Sequence, residues 1–219
     1  MLGATAIFIV CTVLVPALRT ARETKGAKVT SFFLVASPDL PDSLFQQSVI
    51  LMLPPTQIPL VGGIIINKPT TIPLPKLFSG APALKNQATA YFGGPVEITE
   101  PSLILRGAEP TGNVIRLFDN VYVSTDPDSI AKLVKDYPRS GEDLRLFFGR
   151  AQWTPGQLHA EILAGAWYVV PAEADLLFSP DPGRIWRLLV ERTRLHEVDV
   201  FGAQEFRFRL PCRLTVPAR

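Results

Sequence analysis

The chain has 219 residues, of which 47% are hydrophobic and 19% are charged. This composition excludes an intrinsically disordered chain and provides enough apolar surface for one well-filled core. The net charge of +2 hides an uneven distribution. Basic residues outnumber acidic ones by 4 to 1 over residues 1–28 and by 8 to 4 over 184–219, whereas residues 29–183 carry 10 basic and 15 acidic side chains. An acidic body therefore lies between two basic ends.

Residues 2–18 form a run without any charged side chain. Its length is at the lower limit of the ~17–25 apolar residues that a membrane-spanning helix needs. Basic residues follow the run at positions 19, 22, 25 and 28, and none precedes it. The positive-inside rule then predicts an uncleaved inner-membrane anchor with a cytoplasmic body, joined by a basic linker at 19–29. A cleaved signal peptide, which would export the body to the periplasm, and a misassigned start are the alternatives.

Cysteine and histidine are scarce in this sequence. The only residues of these types are Cys11, Cys212, His159 and His196. They are too few for a disulfide framework or for a zinc site built from Cys and His. The Gly-x-Ser-x-Gly motif, the Gly-x-Gly-x-x-Gly turn and the phosphate-binding loop are also absent from the sequence. We therefore expect no metal, no cofactor and no recognisable catalytic constellation.

Short β-branched and aliphatic runs, bounded by proline, glycine or aspartate, predict the strands. The second and third runs flank a proline-rich loop at 54–59, which predicts a hairpin. Residues 69–82 are rich in proline and allow one helical turn at most. The predicted strands cover residues 32–36, 48–53, 61–67, 90–92, 102–105, 121–124, 144–148 and 166–170.

Three helix starts are predicted from capping residues followed by proline. The first helix begins after Asp126 and ends near residues 137–138. The second begins at a capping box over 154–157, in which Gln157 reaches back to the cap N–H. The third begins at 179–182 and continues to about 192. Alternation at 206–210 predicts an edge strand or a loose extension, so the domain spans 30–195 and the extension 196–219.

Several short motifs occur in an order and spacing that resemble the AlgH/YqgE family of bacterial proteins. They span about residues 32–192. They comprise residues 34–38 (LVASP) with Asp42, Phe45 and residues 48–49 (SV), then residues 63–69 (GIIINKP), 93–96 (GGPV) and 156–158 (GQL) with Trp153, Glu161 and Trp167. The resemblance implies a compact α+β fold, a barrel-like, bifurcated mixed β-sheet surrounded by helices, here with an added N-terminal apolar helix. Some members have been called transcriptional regulators, and the family has no established biochemical activity. This chain differs at Arg150 and Gln152, where members usually have Tyr and Gly, and at Arg106, where they often have His.

The motifs provide a candidate ligand-binding groove. An amide and an ammonium at a strand end, a glycine pair able to form an anion-binding nest, and an indole beside a helix N-terminus are groups that can hold a ligand. Each also has a structural alternative, namely a tight turn, a core aromatic side chain or, for the glutamate, a structural hydrogen bond. The candidate ligand-binding residues are Asn67, Lys68, Gly93, Gly94, Trp153, Gln157 and Glu161.

Grouped motifs without a catalytic constellation favour a non-enzymatic binding or regulatory module that contacts a protein partner or a small ligand. Direct DNA binding is not expected, because the body is acidic and the sequence shows no recognition helix. One alternative is a small hydrolase or transferase with Ser37 or Ser48 as the nucleophile and Glu161 as the base. The other alternative is a structural envelope protein.

Overall fold

The computed structural model describes residues 31–54, 60–74, 77, 89–136, 143–154 and 156–205, with side chains up to residue 195. The predicted anchor and linker at 1–29, most of the loop at 54–59, much of the proline-rich segment at 69–82 and the tail at 206–219 lie outside these residues. Within the described part of the chain, no helix has both the length and the apolar character needed to cross a membrane.

In the described part of the chain, nine strands form one curled sheet, and four helices complete the fold. The strands follow the order β6-β7-β5-β8-β3-β2-β1-β9, with β4 added beside β8. All pairings are antiparallel except that of β4 with β8. The strands are β1 Phe32–Ala36, β2 Val49–Met52, β3 Val61–Ile65, β4 Tyr91–Phe92, β5 Val96–Arg106, β6 Ile115–Phe118, β7 Val121–Ser124, β8 Leu144–Trp153 and β9 Trp167–Pro171; the helices are α1 Pro127–Asp136, α2 Gln157–Leu163, α3 Ala174–Leu177 and α4 Pro182–Glu205.

Strand β8 is the point at which the sheet divides. Its residues 144–150 pair with β5, whereas residues 151–153 pair with β3. The short strand β4 lies in the fork and pairs with β8 at residues 147–148. The bifurcated mixed sheet implied by the family resemblance is therefore present in this chain.

The core lies on both faces of the sheet, which explains why the strands contain continuous apolar runs rather than alternating ones. In β1, Phe33 and Val35 join the cluster under α3 and α4, while Leu34 and Ala36 join the opposite cluster with the tryptophans. A third cluster places α1 against β5 and β8. Two-sided burial makes the strands easy to locate from the sequence.

The predicted strands and helix starts agree largely with the structure, with corrections to their extent. Helices α1 and α4 begin at Pro127 and Pro182 as predicted, whereas β5 and β8 are longer than the predicted strands, and β6 and α3 were not predicted. Helix α4 continues to Glu205, through the predicted boundary at residue 195. The cap of α2 is Gly156, with φ of 82°, rather than Thr154. The Thr154 N–H still donates to Gln157 Oε1 at 3.1 Å, which is the predicted reach-back of the capping box.

Asp126 caps helix α1, and its contribution to stability depends on pH. One carboxylate oxygen accepts a hydrogen bond from the Ser129 N–H at 2.9 Å. The hydrogen bonds from the Ser129 side chain and backbone lower the pKa of Asp126. Because the folded-state pKa lies below the unfolded value of ~3.9, the stabilisation is complete above that value and is lost as the pH falls through the folded pKa.

We expect Asp126→Ala to lower the melting temperature by about 3 °C at pH 7, because the first turn loses its cap. The difference from wild type should narrow once the pH falls below about 4, which thermal unfolding followed by circular dichroism measures. Asp128→Ala is the matched control, since this exposed first-turn carboxylate makes no hydrogen bond with another described residue, and its effect should be smaller. A difference for Asp126→Ala that stays constant down to pH 3 would contradict this role.

Candidate functional site

Three of the predicted site residues form one hydrogen-bonded cluster centred on a carboxylate. Glu161 Oε2 accepts the indole N–H of Trp153 at 2.9 Å and that of Trp167 at 2.8 Å. Its other oxygen accepts an N–H from the Gln157 side chain at 2.9 Å. Glu161 and Gln157 lie one turn apart on α2, while the tryptophans come from the end of β8 and the start of β9. One side chain thus joins a helix to two separate strands.

The tryptophans belong to a packed aromatic group rather than to an open stacking surface. Trp153 and Trp167 are each only 4% exposed. Their rings meet edge to face at 6.0 Å, and Phe45 covers both, at 6.5 Å from Trp153 and 5.9 Å from Trp167. A planar ligand therefore finds no free indole face at Trp153 in this conformation. Trp153 was considered either as a stacking surface for a ligand or as a core aromatic side chain, and these contacts correspond to the second.

Asn67 and Lys68 hold the turn that carries Phe45. Asn67 Oδ1 accepts the Val49 N–H at 2.8 Å, and its Nδ2 donates to the Gln47 carbonyl at 2.8 Å. The Lys68 ammonium donates to the Leu44 carbonyl. Burial lowers the pKa of Lys68, and the charge of Asp42 opposes that shift. The two residues after β3 thereby attach residues 42–47 to the sheet, directly above the tryptophan pair.

Gly93 and Gly94 lie in the fork of the sheet. The Gly93 N–H donates to the Phe148 carbonyl at 2.7 Å, while the Gly93 carbonyl accepts the Ile65 N–H at 2.9 Å. A Cβ atom at Gly93 would lie 2.3 Å from the Gly149 carbonyl oxygen, and one at Gly94 would lie 2.1 Å from the Arg150 carbonyl carbon. Glycine is needed here because two backbones touch. The Gly93 N–H is already used between strands, so it does not point towards an anion.

The serines considered as nucleophiles are buried and engaged with the backbone. Ser48 is 0% exposed and donates its hydroxyl to the Phe45 carbonyl at 2.6 Å. Ser37 is 7% exposed and accepts the Asp39 N–H at 3.3 Å. His159 is on the exposed side of α2. Within the described ranges, no group of three or more His, Cys, Asp or Glu side chains could hold a metal ion.

The sequence did not identify two features of this region. Phe45 is part of a family motif, but its position against both tryptophans depends on a turn held from another strand. A polar cleft of about 130 Å³ also opens where β5 leaves its regular pairing with β8. Its only sequence signal was Arg150, which differs from the usual family residue. The residues lining the cleft are Glu97, Glu100, Pro101, Ser102, Thr125, Gly149 and Arg150.

We expect Glu161→Ala to lower the free energy of unfolding by about 2 kcal/mol, because two indole N–H groups in a packed cluster lose their acceptor. Glu161→Gln keeps one acceptor oxygen and should lose about half as much. Urea unfolding followed by tryptophan fluorescence measures both values. Glu191→Ala, an exposed glutamate on α4, is the control and should stay within about 0.5 kcal/mol of wild type. Equal stability losses in Glu161→Ala and Glu191→Ala would show that the cluster has no structural role.

Two solved structures share this fold. The Corynebacterium diphtheriae protein DIP2367 superposes with a TM-score of 0.63 at 23% sequence identity, over 76% of this chain and 88% of that chain. The AlgH protein of Pseudomonas aeruginosa, known from a solution structure, gives a TM-score of 0.59 at 24% identity, over 80% of this chain and 93% of that chain. At these identities the likeness is one of fold alone. The curled antiparallel half-barrel with its helices is thus an AlgH-like fold.

Sequence comparison shows a closer relationship than the shared fold does. The family model described as AlgH-like, DUF179, matches residues 33–196. A UPF0301 protein of Streptomyces avermitilis is 32% identical over 181 residues, which cover 78% of this chain and 90% of that protein. A UPF0301 protein of Methylococcus capsulatus is also 32% identical, over 164 residues that cover 73% and 88%. This chain therefore belongs to the AlgH-like UPF0301 family.

Proposed function

We propose that this protein is a non-enzymatic binding module that contacts a protein partner through the turn at 42–47 together with Lys68, here called the turn surface. The proposal rests on one observation: three of the candidate ligand-binding residues, Asn67, Lys68 and Trp153, hold this turn in place. Asn67 and Lys68 bind its carbonyls, while Trp153 packs under Phe45. A fixed turn is preorganised for contact, which reduces the entropic cost of binding.

The chemistry of the turn surface favours a protein partner over a small ligand. Leu44 is 50% exposed at the tip of the turn, although its neighbour Phe45 is half-buried. An apolar side chain beside the Lys68 ammonium is the mixture that protein interfaces use, with an apolar centre and a polar rim. A regulatory role would then act through protein contacts. The acidic balance of residues 29–183 opposes DNA binding.

The hydrolase or transferase alternative has less support. A nucleophilic serine needs an adjacent base and access to the substrate. Ser37 and Ser48 are buried, and their described hydrogen bonds join backbone groups. Glu161 uses both carboxylate oxygens to accept N–H groups within its own cluster. No described contact favours a structural envelope protein either.

Leu44→Ser tests the turn surface. With the full chain expressed in bacteria and crosslinked in living cells, we expect this variant to reduce the yield of the main crosslinked partner by about tenfold, the usual effect of removing an interface anchor. Ile115→Ser is the matched control, because Ile115 is 51% exposed on β6, at the other end of the sheet. Equal partner yields in the two variants would contradict the proposal. A turnover in purified protein that Glu161→Gln removes would favour the enzyme instead.

We further propose that residues 2–18 anchor the protein in the inner membrane with the body in the cytoplasm, on the basis of the apolar run and the basic residues that follow it. A C-terminal alkaline phosphatase fusion should then be inactive, and N-terminal sequencing of the mature protein should begin at or next to Met1. An active fusion together with a mature N-terminus near Leu18 would overturn the anchor and favour export after cleavage.

A further inference from the structure

The polar cleft beside β5 is formed by an irregular strand pairing. Val96 pairs with Arg150, and Pro101 pairs with Phe148. Residues 97–100 therefore lie opposite a single residue of β8, Gly149, and bulge away from the sheet. The bulge turns Glu97 and Glu100 and the neighbouring Arg150 towards one small space.

Unusual backbone conformations hold this bulge open. Glu97 has a φ of 51°, a left-handed conformation that is uncommon for a residue with a side chain. Gly149 has a φ of 74°, and a Cβ atom there would lie 2.2 Å from the Gly94 carbonyl oxygen. Such conformations persist only where the surrounding structure imposes them, and they are concentrated at ligand sites. The cleft is thus a built feature of the fork in the sheet.

The cleft contains charges of both signs. The Arg150 guanidinium donates through Nη2 to the Glu97 carboxylate, and the two side chains are 35% and 46% exposed. Arg150 Nε is buried and has no hydrogen-bond partner among the described residues. Glu100 is exposed at the same cleft and forms no salt bridge with another described residue. One donor thus lacks an acceptor, and one carboxylate lacks a cation.

This arrangement discriminates between classes of ligand. A simple anion would accept hydrogen bonds from Arg150. It would also lie beside the carboxylates of Glu97 and Glu100, whose negative charges would repel it. A simple cation would leave Arg150 Nε without an acceptor, as it is in the free protein, and would lie beside the positive charge of Arg150. A zwitterion satisfies both needs, since its carboxylate can accept the parallel Nε and Nη2 bonds that guanidinium offers.

We propose that the cleft binds a small zwitterion of the α-amino-acid class. The ligand carboxylate displaces the Glu97 carboxylate from Arg150 and accepts hydrogen bonds from its Nε and Nη2, and the ligand ammonium lies between Glu97 and Glu100. Glu97 can exchange partners because nearly half of its side chain is exposed. One internal salt bridge is thus replaced by two with the ligand. The hydroxyls of Ser102 and Thr125 line the same space, and a volume of about 130 Å³ limits the ligand to a compact molecule.

The cleft is separate from the turn surface. The residues lining the cleft belong to β5, β8 and the segment just before α1, and none of them belongs to residues 42–47 or to the tryptophan cluster. Loss of the protein partner in Leu44→Ser would leave the cleft unchanged. The two proposals can therefore fail separately.

The test is a titration of the purified full chain at pH 7 with L-alanine, propionate and ethylammonium, followed by NMR of the arginine Nε–H signals. We expect L-alanine to shift the Arg150 signal and to bind at least about tenfold more tightly than either of the other two, because each of those carries only one of the two charges. Equal binding by propionate would make this an anion site, and equal binding by ethylammonium would make it a cation site. Either result, or no shift with L-alanine, would overturn the proposal.

Two substitutions separate ligand contact from stability. Arg150→Lys keeps the charge but removes the planar pair of donors, and Glu100→Gln removes an exposed carboxylate; each should weaken L-alanine binding by at least about fivefold, measured by calorimetry. Glu109→Gln, an exposed glutamate outside the cleft lining, should bind as wild type does. Because Glu100 is exposed, that variant remains informative if Arg150→Lys does not fold. Wild-type affinity in Glu100→Gln would contradict the assignment.

Discussion

The divided pairing of strand β8 is the constraint on which the rest of the structure depends. A single strand that pairs with β5 up to Arg150 and with β3 from Ala151 onwards divides the sheet into two halves. Gly93 fills the resulting fork, because its backbone bonds both to β3 and to β8. The curl of the half-barrel, the bulge at 97–100 and the position of Trp153 at the end of β8 all follow from this division.

A second organising contact lies at the far end of the same strand. Glu161 ties the indoles of Trp153 and Trp167 to α2, and Phe45 then closes over both rings. A carboxylate within an aromatic group is favourable only when hydrogen bonds satisfy it, and here three N–H groups do so. Helix α2 has only 7 residues and could not be stable alone. Its position therefore depends on this carboxylate together with Leu158 and Ile162, which pack into the tryptophan cluster.

The family motifs mark structural positions more than chemical ones. Asn67, the glycine pair, Trp153 and Glu161 have specific internal partners that explain why those residue types are needed. Surfaces with unused binding capacity lie beside them, at the exposed turn tip and at the Arg150 cleft. The sequence alone does not distinguish a residue that is required by a backbone contact from one that is required by a ligand.

The sequence by itself determined which segments are strands and where α1 and α4 begin. Strands buried on both faces contain continuous apolar runs, and proline after a capping residue fixes a helix start locally. It also identified the family, since motif order is a property of the chain. It missed the short edge strand β6 and the 4-residue helix α3, because so few residues carry too weak a pattern, and it placed the cap of α2 two residues early.

Only the tertiary structure decided which groups meet. The extra residues at 97–100 become a bulge only because β8 offers one residue opposite them, and pairing register between distant strands is not written in local sequence. For the same reason, the sequence named Trp153, Glu161 and Asn67 but could not distinguish ligand contacts from internal ones. The residue types follow from local chemistry, whereas their partners are set by long-range contacts that form when the sheet assembles.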